Sequence, residues 1–212
     1  MKPVLLALSL SLSSYALQAK EAPQTQSQPS QPPAEFAPNE TQFTLGILAS
    51  KIDGFSGEGY QLSFYHDLFD LNHSDRTLPE GKFYVKANYF SATEDDNRKS
   101  GDAFFKQSEL LGGWKLPINE QHEFFAELGY LEQEFDVNNG IRWQQQGDLY
   151  RLGFQSRLSD KINLRYSLEH HNLTDNDTGV SLELLGADNQ LSLFYKKVGD
   201  FQSYGVNYNL PF

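Results

Sequence analysis

The sequence contains no cysteine, and this absence removes several classes of chemistry. It excludes disulfides, thiolate metal ligands, a cysteine nucleophile and the lipid-modified cysteine that marks a lipoprotein. The redox state of the compartment therefore cannot be inferred from cysteine usage.

Basic residues and long apolar runs are also scarce. There are 17 Lys and Arg against 28 Asp and Glu, for a formal net charge of -11. Phosphate backbones bind clustered Lys and Arg, so nucleic acid is not an expected partner. After the first dozen or so residues, no continuously apolar stretch reaches the ~20 residues of a spanning helix. If the chain crosses a membrane, it must do so with strands.

Residues 1–19 have the organisation of a secretory signal peptide. Lys2 precedes an apolar run from Val4 to Leu12, and small and polar residues follow it. This run is shorter than the ~20 residues of a membrane-spanning helix, which favours a cleaved leader over a retained anchor. Cleavage after Ala16 leaves Ser14 at the third position back and cleavage after Ala19 leaves Leu17 there, so the small-residue preference does not choose between them, and we favour Ala19. We therefore predict that the chain is exported.

The next segment, residues 20–40, is rich in Gln, Pro and Ser and has almost no large apolar side chains. It cannot bury a core, so we predict a disordered periplasmic linker. The composition changes abruptly at Thr41, and residues 41–212 are predicted to form one folded domain.

From Thr41 onward, almost every segment alternates apolar and polar residues, which is the period of a strand with two differently exposed faces. The clearest examples are residues 150–158 and 162–168. About ten such segments follow one another, each near the length that a tilted membrane strand requires. The sequence therefore predicts an all-β fold, an antiparallel up-and-down transmembrane barrel of about ten strands, with eight strands as the alternative.

The connections are predicted to alternate between short turns and longer loops. Residues 116–120, 159–161 and 186–189 are short connections, whereas residues 94–105 and 136–147 are long and polar. Short turns at one rim and longer loops at the other are typical of outer-membrane barrels. Residues 71–81 break this rule, because a long connection falls where a short turn is expected.

Alternation does not show which face points into the barrel, since a soluble barrel with an apolar interior has the same period. Charges in the middle of the polar faces favour a membrane barrel with a polar lumen. The apolar faces carry charge only near strand ends, at His66 and Lys197, and aromatic residues near strand ends favour interfacial girdles. We predict a lumen charge network formed by Lys86, Lys115, Glu127, Arg151, Arg165 and Glu183.

The sequence closes on alternating apolar residues that end in an aromatic ring, namely Tyr204, Val206, Tyr208, Leu210 and Phe212. This pattern resembles the C-terminal assembly signal of small, porin-like Gram-negative outer-membrane β-barrel proteins, without indicating a subfamily. The resemblance implies a location in the cell outer membrane, contact with outer-membrane lipid and lipopolysaccharide, and recognition by the barrel-assembly machinery. We expect a monomer without cofactor or metal.

Candidates for catalysis are sparse. His170 and His171 end the seventh predicted strand at what should be the extracellular rim, and His171 is the candidate base of a rim enzyme. The spacing to a nucleophile that lipid A deacylases would lead us to expect is missing, so a polar strand end is the simpler interpretation. Residues 175–179 begin like a calcium loop but lack its later ligands.

The biochemical role is left open by the sequence. A structural or surface-interacting barrel fits best, because about ten strands enclose a lumen narrow enough for long side chains to fill. The alternatives are a rim enzyme that modifies lipid A or phospholipid, an adhesin-like barrel that binds a host or polysaccharide ligand, and a narrow solute channel.

Overall fold

The computed structural model describes residues 41–52, 55–71, 81–94, 103–137, 141–186 and 189–212. The predicted signal peptide and linker, residues 1–40, lie outside the described residues. No described segment is a helix that is long and apolar enough to cross a membrane.

Ten strands close into one barrel, in which each strand pairs antiparallel with the next and the first pairs with the last. The prediction of an antiparallel up-and-down barrel is confirmed, with ten strands and not eight. The strands are β1 Thr41–Ile52, β2 Phe55–Leu71, β3 Gly81–Glu94, β4 Ala103–Asn119, β5 His122–Val137, β6 Ile141–Ser159, β7 Ile162–Asn172, β8 Asn176–Gly186, β9 Leu191–Val198 and β10 Phe201–Pro211.

The apolar face of the strands points outward. Ile47 is 71% exposed, Leu168 63% and Leu110 62%, although each lies in the middle of a strand. The alternate positions face the lumen, where charged side chains such as Glu127 and Arg151 are buried. This barrel is apolar outside and largely polar inside. A soluble barrel has the opposite arrangement, because its apolar side chains fill the interior.

The lower rim is the end of the barrel that carries Thr41 and Pro211. The β4–β5 turn at this rim is tight, because Asn119 Oδ1 accepts hydrogen bonds from the backbone N–H groups of Gln121 (2.8 Å) and His122 (2.9 Å). The strand registers shift near this rim in β2, β4 and β6. Such bulges increase local twist and help a sheet to close.

The upper rim is the opposite end, and it corrects the predicted pattern of loops. β5 continues to Val137 and β6 begins at Ile141, so most of residues 136–147 is strand and not a long loop. The β9–β10 connection at this rim is also tight, with Gly199 at a φ of +56° that suits glycine. The expectation of a long loop over residues 136–147 was therefore wrong.

The reason lies in how far the β5–β6 hairpin extends. Strands β2 to β6 have 14 to 19 residues, whereas β7 to β10 have 8 to 11. In the upper part of the hairpin, the outward positions are polar, with Glu132 bonded to Gln144 and Glu134 to Arg142. Polar residues on the outer face hide the period of two, so the segment looked like a loop.

Candidate functional site

Six charged side chains meet inside the barrel, roughly halfway between the rims. They come from five strands and are called the ion-pair layer here: Glu109, Glu127, Arg151, Arg165, Glu169 and Lys196. Three of them are acids and three are bases, so the layer is neutral as a group. Each lies at an inward position, because it is one of the alternate residues that form the polar face of its strand.

Arg151 on β6 is the centre of this layer. Its guanidinium contacts Glu109 at 3.2 Å, Glu169 at 3.0 Å and Glu127. Arg165 Nη2 reaches the same Glu127 at 2.8 Å. A planar guanidinium with five N–H donors suits this role, because it can bind several carboxylates at once.

Lys196 extends the layer across the whole lumen. Its Nζ lies 2.8 Å from Glu109 and 3.0 Å from Glu169. Lys196 is on β9 and Glu109 is on β4, and in the closed order of ten strands these two are separated by five steps in either direction. They stand on opposite walls, so this ion pair bridges the barrel along its diameter.

Neutral side chains complete the hydrogen bonding of the carboxylates. The Tyr84 hydroxyl donates to Glu127 at 2.8 Å, and Asn88 Nδ2 and Gln107 Nε2 donate to Glu109 at 2.8 and 2.6 Å. Buried charges are tolerated only when they are paired and hydrogen-bonded. The carboxylates of Glu109 and Glu127 are therefore hydrogen-bonded as well as ion-paired.

The structure brings together only part of the predicted charge network. Glu127, Arg151 and Arg165 meet, whereas Lys115 forms a separate pair with Asp67 at 2.8 Å. Glu183 accepts a hydrogen bond from Ser192 at 2.6 Å, and Lys86 lines the lumen cavity.

A second layer lies between the ion pairs and the upper rim. It consists of aromatic rings that point inward from the consecutive strands β2 to β6 and from β10. We call it the aromatic layer, and its rings are Phe55, Phe90, Phe105, Phe135, Trp143 and Phe201. Leu48, Ala92 and Ala103 fill the space around the rings. The layer is a small apolar core inside a lumen that is otherwise polar.

The rings make contact across the lumen. Phe201 on β10 lies 5.4 Å from Phe90 on β3 and 5.3 Å from Phe105 on β4, measured between ring centroids. Phe105 has no solvent exposure, and Phe55 and Phe201 are each 4% exposed. These side chains face the lumen, and their contacts exclude solvent from the space between them.

Sequence reasoning missed the aromatic layer, although the signal was present. Residues two apart on a strand lie on the same face. Phe90 therefore continues the inward series of Lys86 and Asn88, and Phe105 lies on the same face of β4 as Gln107 and Glu109. Assigning apolar residues to the outer face obscured this alternation. Following the alternation of each strand to its upper end would have placed the rings inside.

A cavity of about 380 Å³ occupies the lumen beside the ion-pair layer. Amide side chains line it toward the lower rim, where Thr44 Oγ1 donates to Asn209 Oδ1 at 2.7 Å and Asn209 Nδ2 donates to the Asn189 carbonyl at 2.6 Å. Phe90 and Phe201 line its upper part. The polar space therefore passes beside the ion pairs and ends at the aromatic layer.

The described histidines that contact other side chains do not form a catalytic set with them. His171 was predicted at an exposed rim, but it is 2% exposed and faces the lumen, where its Nε2 lies 3.4 Å from Glu169. Within the described ranges, no hydroxyl group contacts His171, and no cluster of His, Asp or Glu has the arrangement of a metal site. His122 contacts Ser156 at 2.9 Å, without a carboxylate among its contacts.

The predicted assembly residues share the outer face of β10. Tyr204 and Tyr208 are 57% and 47% exposed, and Val206 lies between them. Phe212 is 74% exposed, and its ring packs edge-on against Phe43 at 5.6 Å. These side chains contribute little to the interior of the barrel.

No family model matches the chain, and no curated protein matches it. Among solved structures, Ail, the attachment invasion locus protein of Yersinia pestis, solved with the heparin analogue sucrose octasulfate, is 16% identical, with a TM-score of 0.41 over 81% of this chain and 99% of Ail. The KdgM porin is 10% identical, with a TM-score of 0.39 over 80% of this chain and 99% of that one. The outer membrane enzyme PagL is 14% identical, with a TM-score of 0.33 over 81% and 99%. Their names describe an attachment protein, a porin and an enzyme, so the similarity assigns no role to this chain.

Proposed function

We propose that this protein is an integral outer-membrane barrel that does not conduct solutes and acts through the surface that it presents outside the cell. The outward apolar face supports the location, because side chains such as Ile47 and Leu168 would be exposed to water in any other setting. Antiparallel closure satisfies the backbone of all ten strands, as lipid requires.

The observation that carries the closed lumen is the complete burial of Phe105, which faces inward and contacts Phe201 from the far side of the barrel. A solute channel would need polar space past these rings, and the cavity ends there. The ion-pair layer adds a second crossing below. A plugged barrel of this kind serves as a platform and not as a pore.

The upper rim faces outward in this proposal. At the lower rim, the tight turn after Asn119 follows the apolar belt closely, as periplasmic turns do. At the upper rim, the β5–β6 hairpin extends the sheet beyond the belt with a hydrogen-bonded outer face of Glu132, Glu134, Arg142 and Gln144. This polar extension is the surface that we propose for interaction.

The stripe Tyr204, Val206, Tyr208, Leu210 and Phe212 is proposed as the segment that the barrel-assembly machinery recognises. The exposure of Phe212 supports a role in recognition more than one in packing. Phe212→Asp should therefore lower the amount of folded barrel in cells much more than the yield of refolding in detergent. Equal losses in both assays would indicate a packing role.

Cell fractionation tests the location. The mature protein should sediment with outer membranes, and its mobility in detergent gels should differ between boiled and unboiled samples, because a closed sheet resists unfolding in detergent. A soluble periplasmic monomer would refute the proposed function. A heat-insensitive membrane band would refute the closed barrel.

A further inference from the structure

Two lysines and a glutamine form one row across three neighbouring strands on the outer face. Lys51 on β1 is the register partner of Gln202 on β10, and Gln202 is the register partner of Lys197 on β9. We call these residues the lysine row. Adjacent strands lie about 4.8 Å apart, so the two lysine backbones are separated by about 10 Å. Both side chains are exposed, and both are long enough to converge on one group above Gln202.

The lysine row lies at the upper edge of the apolar belt. Directly below it the same three strands carry Ala49, Tyr204 and Tyr195, which are again register partners. The two rows below are apolar except for a tyrosine ring, and they comprise Ile47, Val206, Leu193, Leu45, Tyr208 and Leu191. Tyrosine prefers the boundary between hydrocarbon and headgroups. The lysine row therefore falls at the depth of the lipid headgroups.

Among the described residues, no ion pair neutralises the charge on these lysines. Neither Lys51 nor Lys197 forms a salt bridge with any residue in the described part of the chain. Asp53, two residues after Lys51, lies outside the described residues. Of the described carboxylates, Glu58 is two positions from the register partner of Lys51, and Asp200 lies in the β9–β10 turn. By contrast, the exposed bases Lys106 and Arg142 on the opposite side both form ion pairs with Glu134.

The lysine row and the ion-paired bases lie on opposite sides of the barrel. β10, at the centre of the lysine row, and β5 are five steps apart and lie on opposite walls. The outer face around β5 is acidic at the same rim, with Glu132, Glu134 and Asp148 at outward positions. One sector of the upper rim therefore attracts anions, and the opposite sector repels them.

We propose that the lysine row binds the phosphorylated headgroup of an outer-leaflet lipid. The inference rests on the proposed function, because it requires the upper rim to face outward in a membrane. Two ammonium groups and one amide supply donors for phosphate oxygens, and the tyrosines below contact the acyl boundary. The position beside the belt favours a lipid over free phosphate, since only a lipid can use both surfaces together.

The test uses the detergent-solubilised barrel and two purified probes, lipid A that carries two phosphates and the same lipid after enzymatic dephosphorylation. Native mass spectrometry measures the fraction of barrel that retains each probe. The wild-type barrel should prefer the phosphorylated lipid. Each lysine at a membrane surface changes binding by about fivefold, so Lys51→Gln with Lys197→Gln should lower the affinity by about 25-fold.

Lys106→Gln is the matched control, because it removes the same charge from a lysine at the same rim that already contacts Glu134. It should retain the wild-type preference. An unchanged preference in the double variant, or equal retention of both probes by the wild type, would overturn the inference. Displacement of the lipid by millimolar inorganic phosphate would also overturn it, in favour of a free-phosphate site. A barrel that fractionates with outer membranes and shows no phosphate preference would leave the proposed function intact.

Discussion

The lumen is crossed at two levels, by ion pairs in the middle and by aromatic rings toward the upper rim, and the two levels have different consequences. The ion pair between Lys196 and Glu109 spans the full diameter but leaves a cavity of about 380 Å³ beside it. The aromatic layer leaves no accessible space around Phe105. Directional contacts join opposite walls, whereas non-directional packing fills the section between them.

The ion-pair layer should therefore matter mainly for the stability of the barrel, and the aromatic layer mainly for closing its lumen. A charge buried in the ion-pair layer depends on its particular partners, so removing one member leaves other charges uncompensated. A ring in the aromatic layer contributes mainly volume, and another apolar side chain of similar size can replace it. We therefore expect the first layer to be sensitive to chemistry and the second to be sensitive to size.

The largest effect is expected from removing two rings of the aromatic layer. Phe105→Ala combined with Phe201→Ala should cost about 3–5 kcal/mol for each ring, because each truncation leaves a cavity. The cavity beside the ion pairs would then continue to the upper rim. We expect urea unfolding in lipid to show the lost stability and planar bilayers to show new conductance steps.

The control for this variant keeps most of the apolar volume. Phe105→Leu combined with Phe201→Leu should cost less than about 1.5 kcal/mol for each substitution and leave the bilayer silent. If the leucine variant conducts as well as the alanine variant, ring shape and not filled volume is what closes the lumen.

Arg151→Gln should break the ion-pair layer without opening the barrel. It removes the guanidinium shared by Glu109, Glu127 and Glu169, and we expect a loss of about 3–5 kcal/mol in the free energy of unfolding. Arg142→Gln makes the same change in a pair at the upper rim, where the arginine side chain is 61% exposed, and should cost less than about 1 kcal/mol. Similar losses in the two variants would contradict a special role for the buried layer.

A smaller effect is expected from a double-mutant cycle on the ion pair between Glu109 and Lys196, which crosses the lumen. Glu109→Gln and Lys196→Gln should each destabilise the barrel, and the double variant should be more stable than the sum of the two predicts, by about 0.5–3 kcal/mol. Urea unfolding of the four proteins gives this coupling energy. Simple additivity would show that the 2.8 Å contact between opposite walls contributes no pairwise energy.

Much of the fold could be predicted because the outer face of a membrane strand must be apolar along the belt. That rule made residues 150–158 and 162–168 recognisable and placed Glu127, Arg151 and Arg165 in the lumen. The rule ends where the belt ends. Beyond it, the β5–β6 hairpin is polar outside, as at Glu132, and apolar inside, as at Phe135, so the same pattern no longer marks a strand.

Pairing inside the lumen was less predictable for a different reason. The alternation of residues along a strand shows which side chains point into the lumen. It does not show which other strand each of these side chains contacts. Lys196 meets Glu109 five strands away, whereas Lys115 pairs with Asp67, two strands away. Those distances depend on the closure and tilt of the barrel, and no local sequence feature encodes them.

Recording of the wild-type protein in a planar lipid bilayer tests the central claim most directly. A barrel closed by Phe105 and its neighbours should insert without producing steps, while Phe105→Ala combined with Phe201→Ala, inserted under the same conditions, should conduct. Steady and reproducible conductance steps from the unmodified protein would contradict the closed lumen and favour a solute channel.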